Sequence, residues 1–153
     1  MIRRRRRTRI LATASPELAH ELAALVERER EVEVLQPSHQ GLVMCQVRET
    51  ARNSRFYLGE ALMSECRVRV AGAEGLGVVL GSNAELAHDM AVVDAVLSTG
   101  EPSELADELE RRLVVAEREL DRAQTADDAR VLSSRVSFDT MGGQDMSVQA
   151  VVK

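Results

Sequence analysis

The stretch RFYLGEALMSECRVRV, residues 55–70, decides the fold. It reads as one extended run, long for a single strand, with Gly59 marking a bulge or bend. Upstream, a polar hinge at Thr50–Ser54 separates it from Leu42–Glu49, a strand rich in Val and Met. Before that, Val32 and Val34 alternate with glutamates, which predicts a short strand over Glu31–Gln36, and Pro37-Ser38-His39-Gln40-Gly41 reads as a turn. Downstream, Ala71–Gly75 turns the chain into a further strand, Leu76–Leu80. Strands this close in sequence, joined by short connections, predict an antiparallel meander.

Helices flank the meander. Ser15-Pro16 pairs a capping residue with a proline at the first helical position, and Leu18, Leu22, Leu25 and Val26 follow at helical spacing to about Glu31. Ser82-Asn83-Ala84-Glu85 matches a capping box and opens a helix with Leu86, Met90, Val93 and Leu97 on one stripe, ending at Gly100. Pro102-Ser103 starts another, with Leu105, Leu109, Leu113 and Ala116 on its apolar side. This helix either runs unbroken to Leu132, about 45 Å, or restarts at Thr125-Ala126-Asp127-Asp128. Val136, Phe138 and Thr140 share a face of a closing strand over Ser134–Met141. The expected fold is α+β, a single domain whose antiparallel meander is flanked by N-terminal and long C-terminal helices and completed by that strand. Its parts are a basic, frayed extension over residues 1–9, a folded domain over 10–141 and a loose tail over 142–153.

Composition narrows the function. The chain has 153 residues, 44% hydrophobic, enough for one sizeable core. Its only aromatics are Phe56, Tyr57 and Phe138, so the core must be built from Leu, Val, Ala and Met. The net charge of −5 hides an asymmetry, because Arg3, Arg4, Arg5, Arg6, Arg7 and Arg9 crowd the start. Taking those six from the 20 basic residues leaves 14 against 25 acidic, a body charge of −11. An acidic body with few stacking residues argues against nucleic-acid binding. The arginine run is read as a solvated terminus. Ile10–Ala14 is too short for a signal core, and no stretch reaches the length of a membrane span, so the chain is expected in the cytoplasm.

The signatures of common catalysts are absent: no GxSxG, no Walker A loop, no HExxH. Gly72–Gly77 is glycine-rich but precedes a strand, which makes it a hairpin turn and not a phosphate cradle. His20, His39, His88, Cys45 and Cys66 show no ligand spacing, so no metal site is expected; the one arrangement that would make a site is Cys45 and Cys66 as neighbours on adjacent strands with His39 at a strand end. Each cysteine reads as a small buried hydrophobe. The cluster worth singling out is Arg48, Arg52, Asn53, Ser54 and Arg55. Its three guanidinium groups stand against the acidic body and suit either a phosphate-bearing ligand or acidic residues of a partner. On residues alone, the chain is a soluble interaction module without catalytic residues.

Four stretches together resemble PhnG, the G-subunit family of the bacterial carbon–phosphorus lyase core complex. They are Ile10–Leu18; Arg55–Val68, similar to the family's F-x-L-G-E and T-E-C-x-V; Gly75–Gly81 with Ala91, Asp94 and Ala95; and Ser134–Met141, similar to S-R-V-x-F-x-T-M. Arg7 stands where the family often carries a Trp. The resemblance implies a core complex with two copies each of the G, H, I and J subunits, and K and L held more loosely. With L, the G, H and I subunits support transfer of the ribose 5-triphosphate of ATP onto a phosphonate such as methylphosphonate, with release of adenine. A radical iron–sulfur step on J later cleaves the carbon–phosphorus bond. ATP is then the substrate of the complex, this chain binds no cofactor, and no catalytic residue carries over. Three roles remain open: an assembly subunit, a contributor of Arg48, Arg52 and Arg55 to a shared triphosphate or phosphonate site, or a free-standing regulator.

Overall fold

A computed structural model describes residues 2–133 of the chain. The elements run α1 (Arg4–Thr13), α2 (Pro16–Glu29), β1 (Val32–Arg48), β2 (Arg55–Val70), β3 (Ala73–Leu80), α3 (Ala84–Ser98) and α4 (Glu104–Ser133). The described residues up to Leu120 form one compact unit and those from Asp121 on another. The architecture is α+β, with a three-stranded antiparallel sheet in the order β1-β2-β3. The expected closing strand, 134–141, and the tail, 142–153, lie outside the described residues.

Residues 55–70 form the central strand, β2, as expected. Pro37–Gly41 is not a turn. The chain stays extended through it, and the register with β2 shifts between Val34 and Gln36 and again between Gln36 and His39. Pro37 is tolerated there because β1 is an edge strand, where a missing N–H breaks no necessary ladder bond. One further shift falls opposite Cys45 and Gln46, which pair with Gly59 and Tyr57 and leave Leu58 as the extra residue beside Gly59. The β2–β3 hairpin turns on Ala71 and Gly72 alone, both at positive φ (48° and 81°), the signature of a tight two-residue turn.

α3 is the hub. Leu86, Ala87 and Asp89 through Leu97 are buried, as befits a helix apolar nearly all round. It packs on β2 and β3 and against α2 and α1. Contact with β3 is close enough to exclude any side chain at two strand positions. A Cβ on Gly77 would lie 1.8 Å from the Ala87 carbonyl oxygen, and one on Gly75 would lie 2.0 Å from that of Ala91. Ala87, Ala91 and Ala95, one turn apart, form the matching small-residue ridge. α2 contributes Ala19, Leu22, Ala23 and Val26 to the core, and α4 contributes Leu105, Leu109 and Leu113.

The caps follow the sequence closely, with one displaced by a residue. Asn83, not Ser82, caps α3, its side-chain oxygen accepting from the Leu86 N–H at 3.2 Å. Ser15 occupies the cap position of α2, but its side chain makes no capping bond, and its backbone carbonyl accepts from the Leu18 N–H. Ser103 caps α4 by accepting from the Ala106 N–H at 3.1 Å. The helix then runs unbroken past Thr125 to Ser133, so the restart does not occur.

Residues 1–9, expected as a frayed extension, include the first turns of α1, and Arg7 is 4% exposed. The reason is Asp94 on α3, which gives that guanidinium a buried counter-charge. The second unit, described over 121–133, is exposed helix whose side chains bond within their own turns. Gln124 donates to Asp128 at 2.8 Å and Arg130 to Asp127 at 3.1 Å.

Candidate functional site

The arginines singled out by sequence do come together. Arg48 and Arg55 are direct partners closing the β1–β2 ladder, and Arg52 lies in the six-residue loop between them. Asn53 supplies the positive φ (57°) that lets the loop reverse. Below the tip, the Glu49 N–H donates to the Ser54 carbonyl, and the Ser54 hydroxyl donates to the Glu49 carboxylate, each at 2.9 Å. Glu49 is thus engaged with Ser54, and Arg48, Arg52 and Arg55 pair with no described residue. All three are exposed.

The hairpin carrying them is unusual in its own right. β3 ends opposite Met63, where the Gly81 N–H donates to the Leu62 carbonyl at 2.7 Å. From Leu62 to the tip the sheet has only two strands, and most of their side chains are exposed, including Leu42 (64%), Tyr57 (59%) and Leu58 (71%). By register, Val43, Cys45, Val47, Ala61 and Phe56 share one face, and Leu42, Met44, Leu62 and Tyr57 share the other.

A second place was invisible in the sequence. Asp89, on α3 and 8% exposed, lies between His20 of α2 and the adjacent His88, with a ring Nδ1 3.4 Å from each carboxylate oxygen. They line an open groove of about 510 Å³ with Glu27, Ser38 and Glu85. The hydrogen bond that the His88 imidazolium donates to Asp89 raises its pKa above the ordinary histidine value against the opposing effect of burial, with the Asp89 and Glu27 charges acting in the same sense. Among the described residues lining the groove, no free nucleophile joins these three side chains. The Ser38 hydroxyl is committed to the Ala84 carbonyl at 2.8 Å, tying β1 to the start of α3. His20 and Asp89 are 69 positions apart and no motif links them.

Among the described residues, no three His, Cys, Asp or Glu side chains converge as metal ligands. Cys66 is buried, its thiol 3.4 Å from the Gln36 carbonyl, whereas Cys45 is exposed on the two-stranded arm. Seven residues of β2 separate their ladder positions, roughly 23 Å, so they do not neighbour one another. His39 lies within β1 beside Gln36 and not at a strand end. No described helix is long and apolar enough to cross a membrane.

A family model described as "Phosphonate metabolism protein PhnG" matches residues 2–143, which is nearly the whole chain.

Proposed function

The chain belongs to the PhnG family of phosphonate metabolism proteins, and from that premise we propose that it is an assembly subunit of the carbon–phosphorus lyase core complex. In this reading it joins H, I and J subunits and, with H, I and L, supports transfer of the ribose 5-triphosphate of ATP to a phosphonate with release of adenine. The observation that carries the reading is the two-stranded arm. Leu42, Val43, Met44, Phe56, Tyr57 and Leu58 are all exposed on one hairpin. Soluble monomers rarely leave an apolar patch of that size uncovered unless a partner covers it.

Co-expression of the tagged chain with H, I, J and L subunits tests it. Stoichiometric recovery of H, I and J, and adenine release from ATP and methylphosphonate that stops when this chain is omitted, are the expected results. Full assembly and undiminished adenine release without it would sink the reading.

The unpaired arginines favour a second reading, in which Arg48, Arg52 and Arg55 contact the triphosphate or phosphonate in a shared site. Replacing all three by Ala separates the two. Lost adenine release with an intact complex supports ligand contact, and unchanged release removes it.

A further inference from the structure

We propose that the hairpin arm beyond Leu62 enters a cleft in a protein partner, apolar on both walls and carrying carboxylates at its inner end that take the arginine tip. This rests on the assembly reading above and names the contact surface within it.

Three observations define the occupant. First, apolar residues occupy both faces of the arm, with Val43, Val47 and Phe56 on one and Leu42, Met44 and Tyr57 on the other. A flat surface would cover only one of them. Second, both backbone edges are open along the arm, because β1 is an edge strand and β3 has already ended opposite Met63. Two strands without a third are marginal in water, and open edges accept a further strand from a partner. Third, the chemistry changes at the tip. The arm carries only Glu60 as a charge between Leu42 and Val47 or Phe56 and Leu62, then ends on three guanidinium groups that pair with no described residue. A cationic tip on an apolar stem calls for carboxylates where the tip comes to rest. Nucleic acid or membrane phosphate would match the tip but not an apolar stem whose one charge, Glu60, is negative and whose two edges are open.

Cys45 gives a direct probe, since it is exposed midway along the arm while Cys66 is buried in the core. The test is the alkylation rate of Cys45 by iodoacetamide in the isolated chain and in the complex with H, I and J subunits, with mass spectrometry locating the adduct. The expected result is slowing on the order of tenfold or more in the complex, as access to the thiolate closes. Equal rates in chain and complex would overturn the arm as the contact, while leaving the assembly reading intact. Failure of H, I and J to co-purify at all would overturn both. A second variant tests the carboxylates: Arg48→Glu with Arg52→Glu and Arg55→Glu should weaken association about a hundredfold, more at low salt than at high. Undiminished association would refute the acidic inner end.

Discussion

Arg7 of α1 and Asp94 of α3 form a buried ion pair, the Arg7 Nε donating to Asp94 Oδ1 at 2.8 Å with the two residues 4% and 3% exposed. The pair is well satisfied. Arg7 Nη1 donates to the Leu97 carbonyl at 3.0 Å and Nη2 to the Ser98 hydroxyl at 2.6 Å, while Asp94 Oδ2 accepts from the Leu76 N–H at 3.1 Å and from Arg4. One carboxylate thus ties α1 and β3 to the central helix.

Arg7→Ala removes one partner and leaves Asp94 buried against an exposed arginine. The variant should be less stable by about 3–5 kcal/mol, read from urea unfolding of the whole chain. Arg7→Lys should recover only part of this, because an ammonium cannot repeat the planar fork that reaches Asp94 and Leu97 together. Full stability in Arg7→Ala would show that α1 docks through Ile10 and Leu11 alone.

Gly77→Ala sets a Cβ against backbone atoms of Ala87 and Ala91, which cannot swing aside as a side chain would. β3 must lift from α3, with an expected loss of at least about 1–3 kcal/mol. Gly59→Ala, where nothing lies within 4 Å, is the control and should stay near wild type. Equal midpoints for the two variants would contradict the close strand–helix approach.

The histidine groove predicts a pH dependence of stability. The folded-state pKa of His88 is raised above 6.5, chiefly by its hydrogen bond with Asp89. Its contribution is therefore complete below the unfolded value and is lost as pH rises through the folded one. Thermal midpoints should fall as pH rises past the ordinary histidine value of about 6.5, and His88→Gln should flatten that slope. A midpoint that rises over this window in wild type but not in the variant would reverse the assignment.

Arm substitutions should barely touch the isolated fold. Val43→Asp with Phe56→Asp changes exposed positions outside the core, so its stability should stay within about 0.5 kcal/mol per site while solubility rises. Large destabilisation would mean that the arm belongs to the monomer's own core.

Much of this was legible beforehand because it rests on local rules. The run 55–70, the helix ends at Pro16 and Gly100, and the grouping of Arg48, Arg52 and Arg55 follow from neighbours in the chain. So does the existence of a turn after Val70, although it closes on Ala71 and Gly72 alone and not over Ala71–Gly75. The errors arose where a distant group decided. Pro37 reads as a turn until its own strand is seen to lie at the sheet edge beside β2, and Arg7 reads as solvated until Asp94, 87 positions away, supplies its counter-charge. The Asp89 pair with His20 and His88 had no signal at all, since neither spacing nor motif connects α2 to α3 in one dimension.

The sequence by itself determined the α+β class, an antiparallel meander between helices, the apolar composition of the core and the kinship of nearly the whole chain to one family, because periodicity, capping and motif order are properties of neighbouring residues. Only the tertiary structure decided that α3 is the hub, that Gly75 and Gly77 are there for close approach, that Arg7 is buried, and that β2 outruns β3 to leave an arm bare on both faces. Burial is a relation between segments far apart in the chain, and a strand's exposed stretch is visible only once the length of its neighbours is known.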